Sequence, residues 1–246
     1  MSYQRFAHVY DYLMQDVPYG QWVEYFERNT GKPSGQKVLD LACGTGEFTI
    51  HLAQSGWDVT GVDLSENMLM VAQQKANDLG VRIPFFLQDM RNLEGLGAYH
   101  AVTIFCDSLN YLTEEADVKQ TFARVYEHLL PGGVFLFDVH SLYKMREIFI
   151  EGTFTETDEE VSYIWNCFPG EYPDSIEHEL TFFALDPANG LYERFDEIHT
   201  QRTFAPEAYH QWLEEAGFEL QEITADFKPE SPHRESERIF FSAIKK

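Results

Sequence analysis

Within the block from Phe6 to Phe26, apolar or aromatic side chains fall at Val9, Leu13, Trp22 and Phe26 among polar neighbours, the spacing of one or two short amphipathic helices. The loop Thr30-Gly31-Lys32-Pro33-Ser34-Gly35 ends that block. An apolar run, Val38-Leu39-Asp40-Leu41-Ala42, then predicts a buried strand that passes directly into Cys43-Gly44-Thr45-Gly46. Beyond it the pattern predicts a helix over 48–54, a strand over 59–62 ending at Asp63, a helix over 65–79 and a strand over 83–87. A fourth strand follows over 101–105, then a helix whose apolar face is Val118, Phe122, Val125 and Leu129. Leu130-Pro131-Gly132-Gly133 reads as a sharp stop before a fifth strand over 134–138. Strands alternating with helices of this length imply right-handed crossovers on a doubly wound, mostly parallel α/β sheet.

From about Leu142 to Phe204 the period changes to two. Strands are expected over 161–168, 176–185 and 191–203, the last two joined by the turn Asp186-Pro187-Ala188-Asn189-Gly190. The run Glu156-Thr157-Asp158-Glu159-Glu160 reads as a solvated turn. A helix over 206–216, a stop at Gly217 and apolar runs over 218–223 and 238–244 return the chain to the main sheet. The expected organisation is one domain, residues 1–141 and 205–246 with a helical cap over 1–30, interrupted by an antiparallel β insertion over 142–204 expected to act as a lid.

Composition narrows the class of partner. The 246 residues carry 18 Lys plus Arg against 41 Asp plus Glu, a formal charge of −23 that repels nucleic acid and anionic membrane surfaces. The 15% aromatic content is enough to build both a core and a lined pocket. Three widely spaced cysteines, Cys43, Cys106 and Cys167, make no disulfide framework and fit a reducing, cytoplasmic setting. The polar N-terminus has no signal-peptide apolar region, and the histidines show no zinc spacing, so neither membrane nor metal is expected.

The candidate chemistry lies at the strand ends, where open α/β sheets bind ligands. Gly44-Thr45-Gly46 makes a tight turn that lets a ligand approach the backbone, and Asp63 is placed to accept hydrogen bonds from a ribose diol. A nicotinamide dehydrogenase shares both features. Against that reading, Thr49 stands at the third fingerprint position, and the third strand ends in Gln88-Asp89-Met90, which offers a carboxylate and an amide to an adenine edge.

Taken together, residues 38–46, Val62-Asp63-Leu64-Ser65 with Asn67-Met68, Gln88-Asp89-Met90, residues 105–110 and residues 129–134 resemble the class I S-adenosylmethionine-dependent methyltransferases. Ala42 departs from the family, many of whose members have Gly there. The aromatic N-terminus, with Tyr10-Asp11, Tyr19 and Trp22, and the insertion resemble a subgroup with glycine N-methyltransferase-like enzymes and uncharacterised bacterial proteins. The resemblance implies a seven-stranded Rossmann-like sheet with the antiparallel insertion after the fifth strand. It also implies that Asp40, Ala42 and the Gly44 to Gly46 backbone hold the amino-acid end of the cofactor. Asp63 would take the ribose, Leu64 would pack on the adenine, Asp89 and Met90 would read its edge, and Met68 would be a further cofactor contact. Cys106 and Asp107 would lie beneath the methionine portion, and Tyr10, Tyr19 and Trp22 would close over the sulfonium, whose charge is attracted to aromatic faces.

Methyl transfer is an in-line displacement, so the protein chiefly aligns the nucleophile and excludes water, with a general base needed only for a protonated acceptor. Asp107, Asp138 and His140 are the base candidates at the strand ends, Asp107 and His140 being the expected catalytic groups, with Tyr111 and Asn110 as orienting groups. His140, Tyr163, Arg194, His199 and Arg202 are the expected acceptor contacts, an arginine being suited to a substrate carboxylate. The expected activity is methylation of a nitrogen or oxygen atom of a small molecule by S-adenosylmethionine, giving S-adenosylhomocysteine, in a monomer or homodimer. The alternatives are a tRNA or protein methyltransferase, an NAD-dependent oxidoreductase and a non-catalytic cofactor-binding module.

Overall fold

A computed structural model describes residues 2–14 and 17–246. Met1, Gln15, Asp16 and the side chains of residues 2–6 and 8, including the Phe6 that opens the first predicted helical block, lie outside the described parts. The N-terminal block forms two helices, α1 (Ser2–Leu13) and α2 (Tyr19–Thr30). The alternating region follows as β1 (Lys37–Leu41), α3 (Glu47–Gln54), β2 (Asp58–Asp63), α4 (Glu66–Asp78), β3 (Phe85–Leu87), β4 (Tyr99–Ile104), α5 (Glu115–His128) and β5 (Leu129–His140). The insertion contributes β6 (Thr153–Thr157), β7 (Val161–Pro169), β8 (Ser175–Asp186) and β9 (Leu191–Arg202), and the chain ends in α6 (Pro206–Glu215), β10 (Phe218–Ala225) and β11 (Arg238–Lys245).

Seven strands form one sheet in the order β10-β11-β5-β4-β1-β2-β3. It is parallel except at β11, which runs antiparallel to both β5 and β10. The doubly wound, mostly parallel sheet expected from the sequence is thus present. Both of its faces are covered, which is why its inner strands read as nearly continuous apolar runs. Trp22, Phe26, Phe48, Leu52 and Trp57 pack on one face with Leu136 and Phe240. Phe122, Val125, Tyr209 and Trp212 pack on the other with Phe135, Phe137 and Phe241.

Two local differences from the sequence pattern have clear causes. Residues 130–133 do not stop the chain but form an irregularity at the start of β5: α5 ends at His128, and the register shifts between Tyr99↔Leu129 and Ala101↔Val134. The unpredicted β6 is a mostly exposed polar edge strand with no alternation of its own; pairing with β7, where Phe154 lies opposite Trp165, makes it a strand.

The insertion is a separate antiparallel sheet in the order β6-β7-β8-β9. Register assigns its two faces. Tyr163, Phe182 and Phe195 share one face with Trp165, Leu180 and Glu197, with Cys167, His178 and His199, and with Gln201. Ile164, Phe168, Arg194, Asp196 and Ile198 share the other. Helix α1 joins the two sheets: Val9 packs with Val161 and Phe182, the Tyr12 hydroxyl donates to Asp158 (2.7 Å), and Asp11 pairs with Lys75 of α4 (2.6 Å). Among the described residues no helix is long and apolar enough to cross a membrane.

Candidate active site

The sheet order reverses between β1 and β4, and the turns leaving these strands lie at that switch point. After β1, Ala42 (φ 55°), Gly44 (φ 55°) and Gly46 (φ 77°) all adopt left-handed backbone, a conformation in which Ala42 is strained. Gly46 is fixed twice over, because a Cβ there would sit 2.9 Å from the Ala72 Cβ of α4. Gly44 has open space instead: apart from its chain neighbours, no described atom lies within 4 Å of where its Cβ would stand. The Asp63 carboxylate spans the turn, accepting from the Gly44 amide (2.8 Å) and the Ser65 amide (2.8 Å). Burial pushes the Asp63 carboxyl upward, partly opposed by those two N–H groups.

Asp40 lies below the same turn, 3% exposed, accepting from the Thr49 hydroxyl (2.5 Å) and the Thr103 hydroxyl (2.9 Å). Burial outweighs these hydrogen bonds and pushes its carboxyl up to about 7. Thr49, read in the sequence as a misfit to a dinucleotide fingerprint, here holds this buried acid.

After β4, Cys106 (φ 54°) and Asp107 (φ 53°) are also left-handed. Fully buried Asp138 holds this turn, accepting from the amides of Cys106 (2.9 Å) and Asp107 (3.0 Å) and from the Trp22 indole N–H (2.9 Å). Arg238 pairs with Asp138, donates to Asp107 (2.8 Å) and lies 5.3 Å from the Trp22 ring centre. Asp107 also meets His140 Nε2 (3.2 Å) and accepts from Gln201 Nε2 (2.9 Å), which ties the network to β9. Burial opposes charge on Asp107, but His140 and Arg238 outweigh it and hold the carboxyl well below the usual range. Burial lowers the His140 pKa, only partly offset by Asp107, and Nδ1 has no hydrogen-bond partner among the described residues.

Two clefts meet at these turns and share Tyr10, Ala42, Gly44 and Ser108 in their walls. The smaller, about 40 Å³, also reaches Tyr19, Asp40 and Cys106. The larger, about 750 Å³, brings together Asp63, Leu64, Met68, Asp89 and Met90 from the sheet side with Tyr111, Glu197 and His199. Asp89 is already engaged: Arg91 donates to both of its oxygens and also pairs with Asp117, which pulls the Asp89 carboxyl below its ordinary range.

The remaining expected site residues fall elsewhere. Trp22 is 4% exposed and bound to Asp138, so it packs in the core instead of closing over a cleft. Asp107 and His140 stand behind the cleft walls, and the carboxylate expected to accept a proton is committed to Arg238, His140 and Gln201. Tyr163 packs in the cluster of Val9, Leu13 and Phe182. Arg194 lies on the opposite face of the insertion, paired with Asp196 (2.8 Å). Arg202 donates to the carbonyls of Thr113 (2.7 Å) and Pro173 (3.1 Å) and lies over the Tyr172 and Phe204 rings, which occupies its guanidinium with structural contacts.

Sequence reading missed Glu197, Gln201 and Arg238. Period two along β9 carried a usable signal, since Glu197 and Gln201 share a face with His199. Arg238 had none, because its partners lie 100 and 131 residues away in the chain.

Comparison with known proteins agrees with this geometry. Residues 38–133 match the methyltransferase domain family. A Geobacillus sp. (strain WCH70) protein with a provisional methyltransferase name is 53% identical over 248 residues, covering 100% of both chains. The crystal structure of an S-adenosylmethionine-dependent methyltransferase from Clostridium acetobutylicum ATCC 824 superposes with a TM-score of 0.87 and 30% identity, covering 100% of this chain and 99% of that one. The chain belongs to the class I S-adenosylmethionine-dependent methyltransferases and is an enzyme of that class. The finer likeness to glycine N-methyltransferases is remote: the glycine/sarcosine N-methyltransferase of Halorhodospira halochloris is 24% identical over 222 residues, covering 89% of this chain and 78% of its own.

S-adenosylmethionine is therefore the expected cofactor, and the residues present fit it. A buried acid below an open glycine turn suits an ammonium, and an acid braced by two amides at the end of β2 keeps lone pairs for a diol.

Proposed function

We propose that this enzyme transfers a methyl group from S-adenosylmethionine to a nitrogen or oxygen atom of a small-molecule acceptor, releasing S-adenosylhomocysteine, with residues 142–204 covering the acceptor. The observation that carries this reading is the single cleft of about 750 Å³ whose wall combines strand-end residues of the sheet with Glu197 and His199 of the insertion. That volume lies within the range of small-molecule sites. The remote relative from Halorhodospira bears the name of a small-molecule methyltransferase, which supports the same acceptor size. The net charge of −23 disfavours a nucleic-acid acceptor.

When bound, S-adenosylmethionine supplies a methyl group activated by its sulfonium. Asp40, beneath the Gly44 turn, would take the cofactor's ammonium, and Asp63 its ribose hydroxyls through the lone pairs its two amide contacts leave. Leu64, Met68 and Met90 would pack against the adenine. Asp89 would share an oxygen with the adenine amino group while remaining paired to Arg91. Tyr10 and Tyr19 would present ring faces and, with α1, exclude water. Asp107 and His140 are positioning residues in this reading, holding the turn at Cys106 through Arg238 and joining it to the insertion through Gln201. Tyr111 and His199 face the acceptor, with the Tyr111 hydroxyl 3.5 Å from His199 Nδ1, and burial holds the His199 imidazole below its ordinary pKa, so it is neutral at neutral pH.

Calorimetric titration with S-adenosylmethionine, S-adenosylhomocysteine and NAD tests the reading. Binding of the first two with no response to NAD is the expected result. Binding of NAD alone overturns it.

A further inference from the structure

The wall of the larger cleft contains five carboxylates, Asp63, Glu66, Asp89, Asp117 and Glu197, and one guanidinium, Arg91. Arg91 is spent on Asp89 and Asp117, Asp63 is braced by backbone amides, and Glu66 is solvent-exposed on the first turn of α4. Glu197 differs from all of these. It is only 9% exposed, makes neither a hydrogen bond nor an ion pair with any described residue, and still reaches the cleft. Its one cross-strand neighbour is Leu180, with Trp165 beyond it on the next strand, and Phe195 and His199 stand two residues away on the same face. Burial pushes its carboxyl upward, and no cation among the described residues offsets that. Burial lowers the pKa of His199 as well, so that imidazole supplies no positive charge at neutral pH. A carboxylate withdrawn from water without a partner costs free energy that a bound cation recovers. The rings of Tyr10 and Tyr111 line the same cleft and suit an organic cation.

We propose that Glu197 is the specificity determinant for the acceptor and recognises an amine-bearing small molecule, pairing with its ammonium from the insertion side of the cleft. This rests on the methyltransferase reading and narrows the acceptor class within it. An alcohol or a carboxylic acid of the same skeleton leaves the Glu197 charge unmatched, and a carboxylic acid adds repulsion.

The test uses the full chain saturated with S-adenosylhomocysteine and a panel in which amines are matched by skeleton: spermidine, D-glucosamine and cyclohexylamine against D-glucose, cyclohexanol and cyclohexanecarboxylate. Ligand-observed NMR reads binding, and transfer from methyl-labelled S-adenosylmethionine reads turnover. At least one amine should bind and the neutral and anionic members should not. Glu197→Gln should weaken the amine by at least about tenfold, and Glu197→Asp by less. A preference for the alcohols or the acid, no binding by any amine at 10 mM-scale, roughly the weakest affinity of interest here, or equal amine binding by Glu197→Gln overturns the proposal.

A second measurement requires no acceptor. An unpartnered buried carboxylate opposes folding, so Glu197→Gln should leave Tm unchanged or raise it. A fall of more than about 5 °C would assign Glu197 a structural role and sink the inference. Failure to bind S-adenosylhomocysteine would instead remove the methyltransferase reading, so the two failures are distinguishable.

Discussion

Asp63 and Glu197 reach the same cleft, one from the end of a parallel strand and the other from the face of an antiparallel one, and their surroundings differ sharply. Asp63 is held by the amides of Gly44 and Ser65, both at the adjoining strand and helix ends. Glu197 is held by register, opposite apolar Leu180, and has no polar side-chain partner among the described residues. The half of the cleft proposed to hold the cofactor is therefore braced before any ligand arrives, whereas the insertion half presents a charge with no partner among the described residues. A common cofactor needs a fixed cradle; acceptor choice needs a side chain whose satisfaction depends on what binds.

The largest expected effect comes from breaking the network that joins the two halves. Asp138→Ala leaves Arg238 buried with half of its pairing gone and releases the amides of Cys106 and Asp107, a loss of about 3–5 kcal/mol. Thermal unfolding should show a drop of about 6 °C or more. If Tm holds, the two halves are not coupled through Asp138.

The crossed pair Asp63→Ala and Glu197→Gln sharpens the comparison directly. Calorimetry should show Asp63→Ala weakening S-adenosylmethionine by at least about tenfold, with some loss of stability because two amides lose their acceptor. Glu197→Gln should leave cofactor affinity within about twofold of the parent. Equal effects on the cofactor would erase the distinction drawn here.

A smaller effect is carried by pH. The Asp40 carboxyl is raised from 3.8 to about 7 by burial, so its proton is held more tightly in the folded than in the unfolded chain. Its contribution to stability is fully present below about 3.8 and is lost as pH rises through about 7. Binding an ammonium favours the ionised form, so cofactor affinity should rise with pH between about 5.5 and 7, and Asp40→Asn should flatten that rise. A pH-independent affinity in the parent protein would place the ammonium elsewhere.

The smallest effect concerns Ala42. At φ 55° an alanine carries a penalty of about 1 kcal/mol that glycine does not, so Ala42→Gly should raise Tm by about 2–4 °C without changing the acceptor half. An unchanged or lower Tm would mean that the Ala42 methyl packs well enough to offset the strain.

Much of the sheet half was legible because its information is local. An apolar run announces each buried strand, and the groups that face the cleft follow within a few residues, as Gly44 follows β1 and Asp63 closes β2. The insertion was legible as antiparallel strands and not as a site. Arg194 and His199 both sit on β9, yet an odd separation sends Arg194 to the face opposite the cleft. Arg202 carries a charge suited to a substrate, but two carbonyls and two rings satisfy it. His140 closes β5 as Asp63 closes β2, and only packing shows that it stands behind Asp107.

Sequence alone determined the alternation of strands and helices, the switch-point turns and the acids beside them, because hydrophobic period and turn chemistry act over a few residues. Tertiary structure decided which charges are already matched. The pairing of Asp107 and Asp138 with Arg238, and the lack of a partner for Glu197 among the described residues, depend on contacts across many residues and on the register of one strand against the next. How far a charge is already matched before a ligand arrives is set by its neighbours in the fold, and that is a property of the packed molecule.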